Sequence, residues 1–459
     1  MAIHFRLIQK KASNVTKDMT VGEPLKLIFL YSIPLLLGNI IQQLYSMADT
    51  IIVGQFLGTN ALAAVGTTGP MNFLVLGFIS GLTSGFAVIT AQQFGAKDEN
   101  GLKRSVAMNV MLNLIFSITI TIIAIVTAKP ILRLINTPSE IFEDAATYII
   151  IIYIGIVAIV LYNGTACILR ALGDSKSPLY FLIISAILNI VLDIVFISCF
   201  DMGVAGAAWA TVVSQGLAGV ASLIYMIVKF PILRIKKSDF LWNNWFAWQH
   251  LRIGLPMAFQ FSITAIGVIV LQGALNVFGA TKIAAYTAAQ KVEQLVAVAA
   301  GTFGVTMANY TGQNLGAKRL DRIKDGTNKC CILTVVVSLI SMAISLLFSD
   351  QMTSLFINAN ADNLIEVLDA SREYLHLTAL FYPALFVIFI YRNVLQSMGK
   401  GFMPLMAGVF ELIARTLAAY TLPFVLGYKG ICLAGPLAWL VAAIPLFIAY
   451  SVIIRRFKV

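Results

Sequence analysis

The sequence predicts an all-α integral membrane protein of twelve transmembrane helices in two pseudo-symmetric six-helix bundles. Three observations predict it: an apolar composition, twelve apolar runs of spanning length, and an internal duplication. Of 459 residues, 59% are hydrophobic and 12% charged, with a mean hydropathy of +0.88, whereas soluble chains carry about a quarter charged residues.

A helix crosses the hydrocarbon with about 20 apolar residues. Runs that qualify lie, within a few residues, at 26–53, 61–94, 105–128, 146–171, 178–199, 204–229, 249–277, 284–313, 329–349, 372–397, 404–426 and 432–454. Several exceed the need, so tilt or kinking is expected, with Pro34, Pro70, Pro256 and Pro383 as kink points. A basic leader, residues 1–25 with Arg6, Lys10, Lys11 and Lys17, precedes the first run. It has no small-residue cleavage site behind a short apolar core, so the leader is expected to be retained.

Counting loops alternately from the N-terminus puts 24 of the 32 Lys and Arg residues on the first side and 5 on the second, with Lys291, Arg392 and Arg415 inside spans. Lys and Arg collect on the cytoplasmic side, so a multi-pass protein of the cell membrane with both termini cytoplasmic is expected. The net charge of +11 follows from that asymmetry, and no nucleic-acid partner is implied. Cys167, Cys199, Cys330, Cys331 and Cys432 lack metal or disulfide spacing and read as small apolar residues. His4, His250 and His376 fall in the leader or near helix ends and form no metal cluster or buried relay. No cofactor and no metal site are expected.

The chain repeats itself. "FGAKDENGLKR" at 94–104 recurs as "LGAKRLDRIKD" at 315–325, and the same shift carries Gln92 to Gln313 and Gly58 to Gly279. "LRALGDSKSPL" at 169–179 recurs as "LQSMGKGFMPL" at 395–405, and Trp209 as Trp439. Six spans per copy is an even number, so both copies enter the membrane in one direction, related by an axis along its normal, as in transporters that rock about a central site. The expected division is a first lobe at 26–229, a linker at 230–248 and a second lobe at 249–459. "WNNWFAW" in the linker reads as an interface anchor on an amphipathic stretch.

A carboxylate at mid-bilayer costs at least about 2.5 kcal/mol on insertion scales, so retained acids face protein or water. Gln42, Tyr45 and Asp49 share one face of the first helix, and Ser185, Asn189 and Asp193 recur every four residues on the fifth. If both stripes face inward, two carboxylates meet. They then share a proton, or hold a small cation with oxygens from Asn189, Tyr45 or Thr211; the structural alternative is hydrogen bonding between helices. The duplication argues for specialisation, because the shifts take Asp49 to Val270 or Leu271 and Asp193 to Ala419. The second copy offers Gln260, Gln272, Gln290 and Glu293 as substrate contacts, Glu293 being suited to a cation unless Lys291 neutralises it. Glu411 and Arg415, four apart, are expected to pair. Enzyme signatures (HExxH, GxSxG, GxxxxGK[ST]) are missing, so no catalytic residues are assigned.

Through "IPLLLGNIIQQLYSMADTIIVGQFLG", "AQQFGAKD", "ILRALGDSKSPL", "LNIVLDIVFI" and "GVAGAAWATVVSQ" the chain resembles the multidrug and toxic compound extrusion (MATE) transporters, prokaryotic branch, over nearly its whole length. The resemblance implies a two-lobe multidrug efflux antiporter, active as a monomer, exporting organic cations and other amphipathic drug-like compounds in exchange for H+ or Na+. It implies that Asp49 and Asp193 take part in cation coupling, with either a proton or a Na+ ion held between them, and with Gln42, Tyr45, Asn189, Thr211 and Asn163 as neighbouring cavity positions. The alternatives are a flippase or exporter of lipid-linked or polysaccharide substrate in the same superfamily, disfavoured by twelve spans and an acidic cavity, and a passive channel or scaffold, which leaves the one-sided aspartates unexplained.

Overall fold

A computed structural model describes residues 17–357 and 363–456, in which helices and the turns between them account for the chain. Arg6, Lys10, Lys11 and the rest of the leader before Lys17 lie outside the described residues. The helices are α1 (Pro24–Gly95), α2 (Glu99–Leu134), α3 (Ser139–Ile154), α4 (Ile156–Ala171), α5 (Ser177–Ile194), α6 (Gly203–Lys229), α7 (Asn244–Leu275), α8 (Gly279–Gly316), α9 (Leu320–Leu347), α10 (Ser349–Ser354), α11 (Leu364–Ala379), α12 (Tyr382–Ser397), α13 (Phe402–Thr421), α14 (Pro423–Leu426) and α15 (Tyr428–Arg456). A bilayer offers no hydrogen bonds to an open backbone, which leaves the helix as the way to pair every amide internally. Hydroxyls within spans follow suit: those of Thr119, Thr306 and Thr334 bond carbonyls four residues back.

The sequence divides α1 into two spans, and the structure shows how. A straight 72-residue helix would be roughly 108 Å long, more than three times the hydrocarbon thickness of about 30 Å. Gly58 breaks it with φ 85° and ψ −174°, a conformation open in practice to glycine alone. Gly279, its counterpart in the repeat, takes φ 80° and ψ 170° between α7 and α8. The fourth and tenth spans are bent pairs, α3 with α4 at 47° and α11 with α12 at 51°, the second bend carrying Pro383 at the start of α12. The repeat therefore extends to its irregularities. Lys97 and Lys318, also equivalent, both sit in the left-handed region at φ 57° and 58°.

Two compact units are formed. The first holds 30–262 and 312–318 with residues before Glu23, and the second holds 23–29, 263–311 and 319–459. In the first, α6 packs on α4 and α5. Its buried face is Gly206, Ala207, Ala210, Ser214, Ala218 and Ser222, small side chains that let backbones approach where lipid supplies no hydrophobic drive. Residues 312–318 join this unit by backbone contact. A Cβ on Gly95 would lie 1.9 Å from the carbonyl oxygen of Gln313, and one on Gly316 would lie 1.8 Å from that of Gln92. The segment before α1 is tied to the same place: the amide of Met19 donates to Gln313 Oε1 at 2.9 Å, and Asn314 Nδ2 donates to the Met19 carbonyl at 3.1 Å. In the second unit α13 packs along α15. Large apolar side chains such as Ile122, Ile224, Ile340 and Phe447 stay exposed, as a lipid-facing surface requires.

The residues of the 230–248 segment form two single 3-10 turns, at Pro231–Leu233 and Lys237–Phe240, and Trp242, Trp245 and Trp248 are exposed. Between α4 and α5, buried Asp174 takes the amides of Lys176 and Ser177 on Oδ1 at 3.1 and 2.9 Å, closing the start of α5. Burial pushes its carboxyl above the usual range, against the lowering effect of the Ser177 hydrogen bonds.

Two predictions follow from these features. Gly58→Ala and Gly279→Ala are each expected to cost about 1–3 kcal/mol through the strained φ alone, because nothing lies within 4 Å of either added Cβ; thermal unfolding of the purified variants measures it. At Asp174 the folded carboxyl titrates higher than the unfolded one, so its contribution to stability is lost as pH rises through the folded value. Asp174→Asn keeps an acceptor for both amides without a charge, and its Tm relative to wild type is expected to climb from acid to alkaline pH.

Candidate functional site

Asp49 and Asp193 come together in the first unit. α1 carries Asp49 on the face that also holds Tyr45, and α5 carries Asp193 one turn beyond Asn189, just before its last turn widens into the π-helix Val195–Cys199. Asp49 is 8% exposed, and Asp193 and Asn189 are fully buried. The two carboxyls lie within electrostatic reach of each other. Across from them Thr211 of α6 accepts through Oγ1 from both Tyr45 Oη and Asn189 Nδ2, each at 3.3 Å. These two bonds fix the stripe of α1 and the stripe of α5 to α6.

The buried acceptors Asp49 Oδ1, Asp193 Oδ1, Asp193 Oδ2 and Asn189 Oδ1 meet no protein donor. A buried polar atom left unpaired costs about 1–3 kcal/mol, and charged ones more. Four such oxygens in one place form a hard, oxygen-only set that suits a proton shared by the carboxyls or a small cation such as Na+. Among the described residues no group of three His, Cys, Asp or Glu side chains is placed to hold a metal ion.

The buried phenol of Tyr148 on α3 lies within electrostatic reach of Asp49, Tyr45 and Asp193. Sequence reasoning missed it, because "TYIIIIYIG" has no polar stripe and its relevance depends on which helix packs opposite. Gln42 and Asn163 stand apart from the carboxyls. Both line a cavity of about 220 Å³ between α1, α4 and the start of α5.

The second unit gathers a different set. Glu293 of α8 accepts a hydrogen bond from the Tyr374 hydroxyl of α11, and Arg415 acts on it electrostatically. Lys291, weighed from sequence as its neutraliser, is exposed. Glu411 pairs with Arg415 at 2.7 Å as the i, i+4 spacing requires, and its other oxygen takes Arg392 of α12 at 2.9 Å. Gln272 is exposed and bonds Asn276 at 3.2 Å, Gln290 is half-buried, and Gln260 belongs to the first unit. Among the described residues Glu293 makes its hydrogen bond to Tyr374 and none to Gln272 or Gln290.

The chain matches the family profile described as MatE over residues 34–195 and 253–421. The chain belongs to the MatE family. It is 30% identical over 447 residues to the "Probable multidrug resistance protein YpnP" of Bacillus subtilis, covering 94% of this chain and 96% of that protein. It is 24% identical to a protein of Shewanella oneidensis named "FAD transporter", over 90% of this chain and 91% of that one. Among solved structures, the outward-facing conformation of a multidrug resistance MATE family transporter of the MOP superfamily superposes with a TM-score of 0.90 at 26% identity, covering 97% of this chain and 99% of that chain. MatE membership makes the protein a multi-pass membrane transporter of the multidrug efflux family and not an enzyme. Its two matched stretches carry one copy of the duplication each.

Thr211→Val removes the acceptor shared by Tyr45 and Asn189 and strands two donors, with an expected cost of about 2–4 kcal/mol. In the second unit Glu411→Ala leaves two buried guanidiniums without their carboxylate and is expected to cost about 3–5 kcal/mol. Denaturation of both variants in the same detergent compares them directly.

Proposed function

We propose that the protein is a cation-coupled antiporter that exports organic cations and other amphipathic compounds in exchange for H+ or Na+. Asp49 and Asp193 bind the coupling ion, with Asn189 and Thr211 supplying further oxygens and Tyr45 holding the set in place. The single observation that carries this reading is a pair of buried carboxyls, within electrostatic reach of each other, whose oxygens Asp49 Oδ1, Asp193 Oδ1 and Asp193 Oδ2 meet no protein donor. A pair of that kind is stable when it holds one positive charge and is driven apart when it holds none. Ion binding and release therefore bias which arrangement of the helices is favoured, by the differential affinity of the ion for the two states.

The basic asymmetry of the loops supports an orientation with both termini in the cytoplasm, the protein acting as a monomer. Glu293, which accepts a hydrogen bond from Tyr374 and lies within the electrostatic reach of Arg415, is the acid available to a cationic substrate, with Gln290 on the same helix and Gln260 and Gln272 on α7 as further polar contacts.

Ethidium efflux from liposomes containing purified protein, under separately imposed proton and sodium gradients, tests the proposal. One gradient is expected to drive transport in wild type, and Asp49→Asn and Asp193→Asn are expected to lower the driven rate by at least tenfold while remaining folded. Driven transport at the wild-type rate in both variants would reduce the carboxyls to structural hydrogen-bonding groups and overturn the reading.

A further inference from the structure

We infer that the cavity between α1, α4 and α5 is a subsite for an anionic group, a carboxylate or phosphate borne on the end of an amphipathic ligand, with Arg170 as its charge partner. The site takes zwitterionic and anionic compounds that a pocket built only around acids would reject. This deepens the substrate side of the proposed export and rests on that reading for its role in transport.

The cavity, about 220 Å³, lies wholly in the first unit. It is smaller than the roughly 300–1,000 Å³ of pockets that enclose a whole drug-sized molecule, so it accepts one end of a ligand. Arg170 is the one charged side chain in its lining, which includes no acid. The guanidinium has no ion pair or hydrogen bond among the described residues; only the main-chain carbonyl of Arg170 is engaged, by the Tyr31 hydroxyl at 2.7 Å and the Gly173 amide at 2.9 Å. Asp174, the acid nearest in sequence, spends one oxygen on the amides that start α5 and makes no salt bridge to Arg170.

A planar, always charged fork of donors matches a carboxylate or phosphate in two parallel bonds. Ser84, Asn163 and Gln42 line the same space and carry hydroxyl and amide donors, while Leu179 and Leu182 give the ligand's body an apolar wall. Gln42 also ties this cavity to the coupling pair, since it precedes Asp49 by two turns of α1, roughly 10 Å along the axis.

The competing explanation is that Arg170 merely complements the carbonyl end of α4, where it occupies the last turn. Equilibrium binding separates the two. Fluorescence polarisation of rhodamine B, which carries a free benzoate beside its cationic ring system, is compared with that of rhodamine B ethyl ester, on purified full-length protein in detergent with no gradient imposed. Wild type is expected to bind the free acid at least tenfold more tightly than the ester. Arg170→Gln is expected to erase that preference by weakening the acid at least tenfold and leaving the ester within twofold, whereas Arg170→Lys, which keeps the charge, restores part of it.

Equal affinity of wild type for the two dyes would overturn the inference, as would parallel weakening of both dyes in Arg170→Gln. If Arg170→Gln does not fold, displacement of rhodamine B from wild type by sodium benzoate, with no displacement of the ester, still decides it, and failure of benzoate to displace the acid counts against it. Because no gradient is involved, the subsite can fail while gradient-driven export stands, and the reverse.

Discussion

The structure depends first on the poverty of the bilayer as a solvent. Hydrocarbon supplies no donors or acceptors, so each backbone amide must be paired within its own helix, and each retained polar side chain must find protein or water. That constraint explains why the membrane-spanning stretches between Pro24 and Arg456 are helical among the described residues. It also explains why interruptions are few and are placed where glycine or proline can tolerate them, at Gly58, Gly279 and the bend before Pro383.

The same poverty gives unpaired polar groups their meaning. In water, four carboxylate and amide oxygens without protein donors would simply be solvated. Around Asp49, Asn189 and Asp193 they are buried, and the surrounding protein offers them no donor. A buried oxygen set of that kind is stabilised by positive charge, which is the basis of the coupling role proposed for it. The Glu411 triad behaves in the opposite manner. Its carboxylate is saturated by Arg392 and Arg415 at 2.9 and 2.7 Å, so it locks α12 to α13 and offers no oxygen to an exchanging ion.

Duplication and divergence divide the labour. The two copies share their irregular backbone, down to the left-handed Lys97 and Lys318 and the reciprocal close approach of Gly95 and Gly316. Backbone geometry of that sort is hard to change piecemeal, because a Cβ at either glycine would strike a carbonyl. The side chains within the shared frame are freer, and the acids near the middle of spans one and five occur in the first copy alone. Membership of the MatE family places this division within a set of transporters, and the first unit holds, in a cavity apart from the acidic pair, an arginine as well.

How much of this was legible beforehand depends on range. Span positions, the six-plus-six repeat, the two inward stripes and the Glu411–Arg415 pair follow from local spacing, because the helical period alone decides which residues share a face. Asp49 and Asp193 could be named for the same reason: a charge in an apolar run is costly wherever the run ends up. Tertiary structure alone decided that Tyr148 faces the acids, that Tyr374 and not Lys291 attends Glu293, that Arg392 completes the Glu411 triad, and that Gln42 and Asn163 belong to a cavity apart from the carboxyls. Each of those pairings joins different helices, and the rotation of one helix against another is set by the packing of small side chains across their interface, which no periodicity within a single helix encodes.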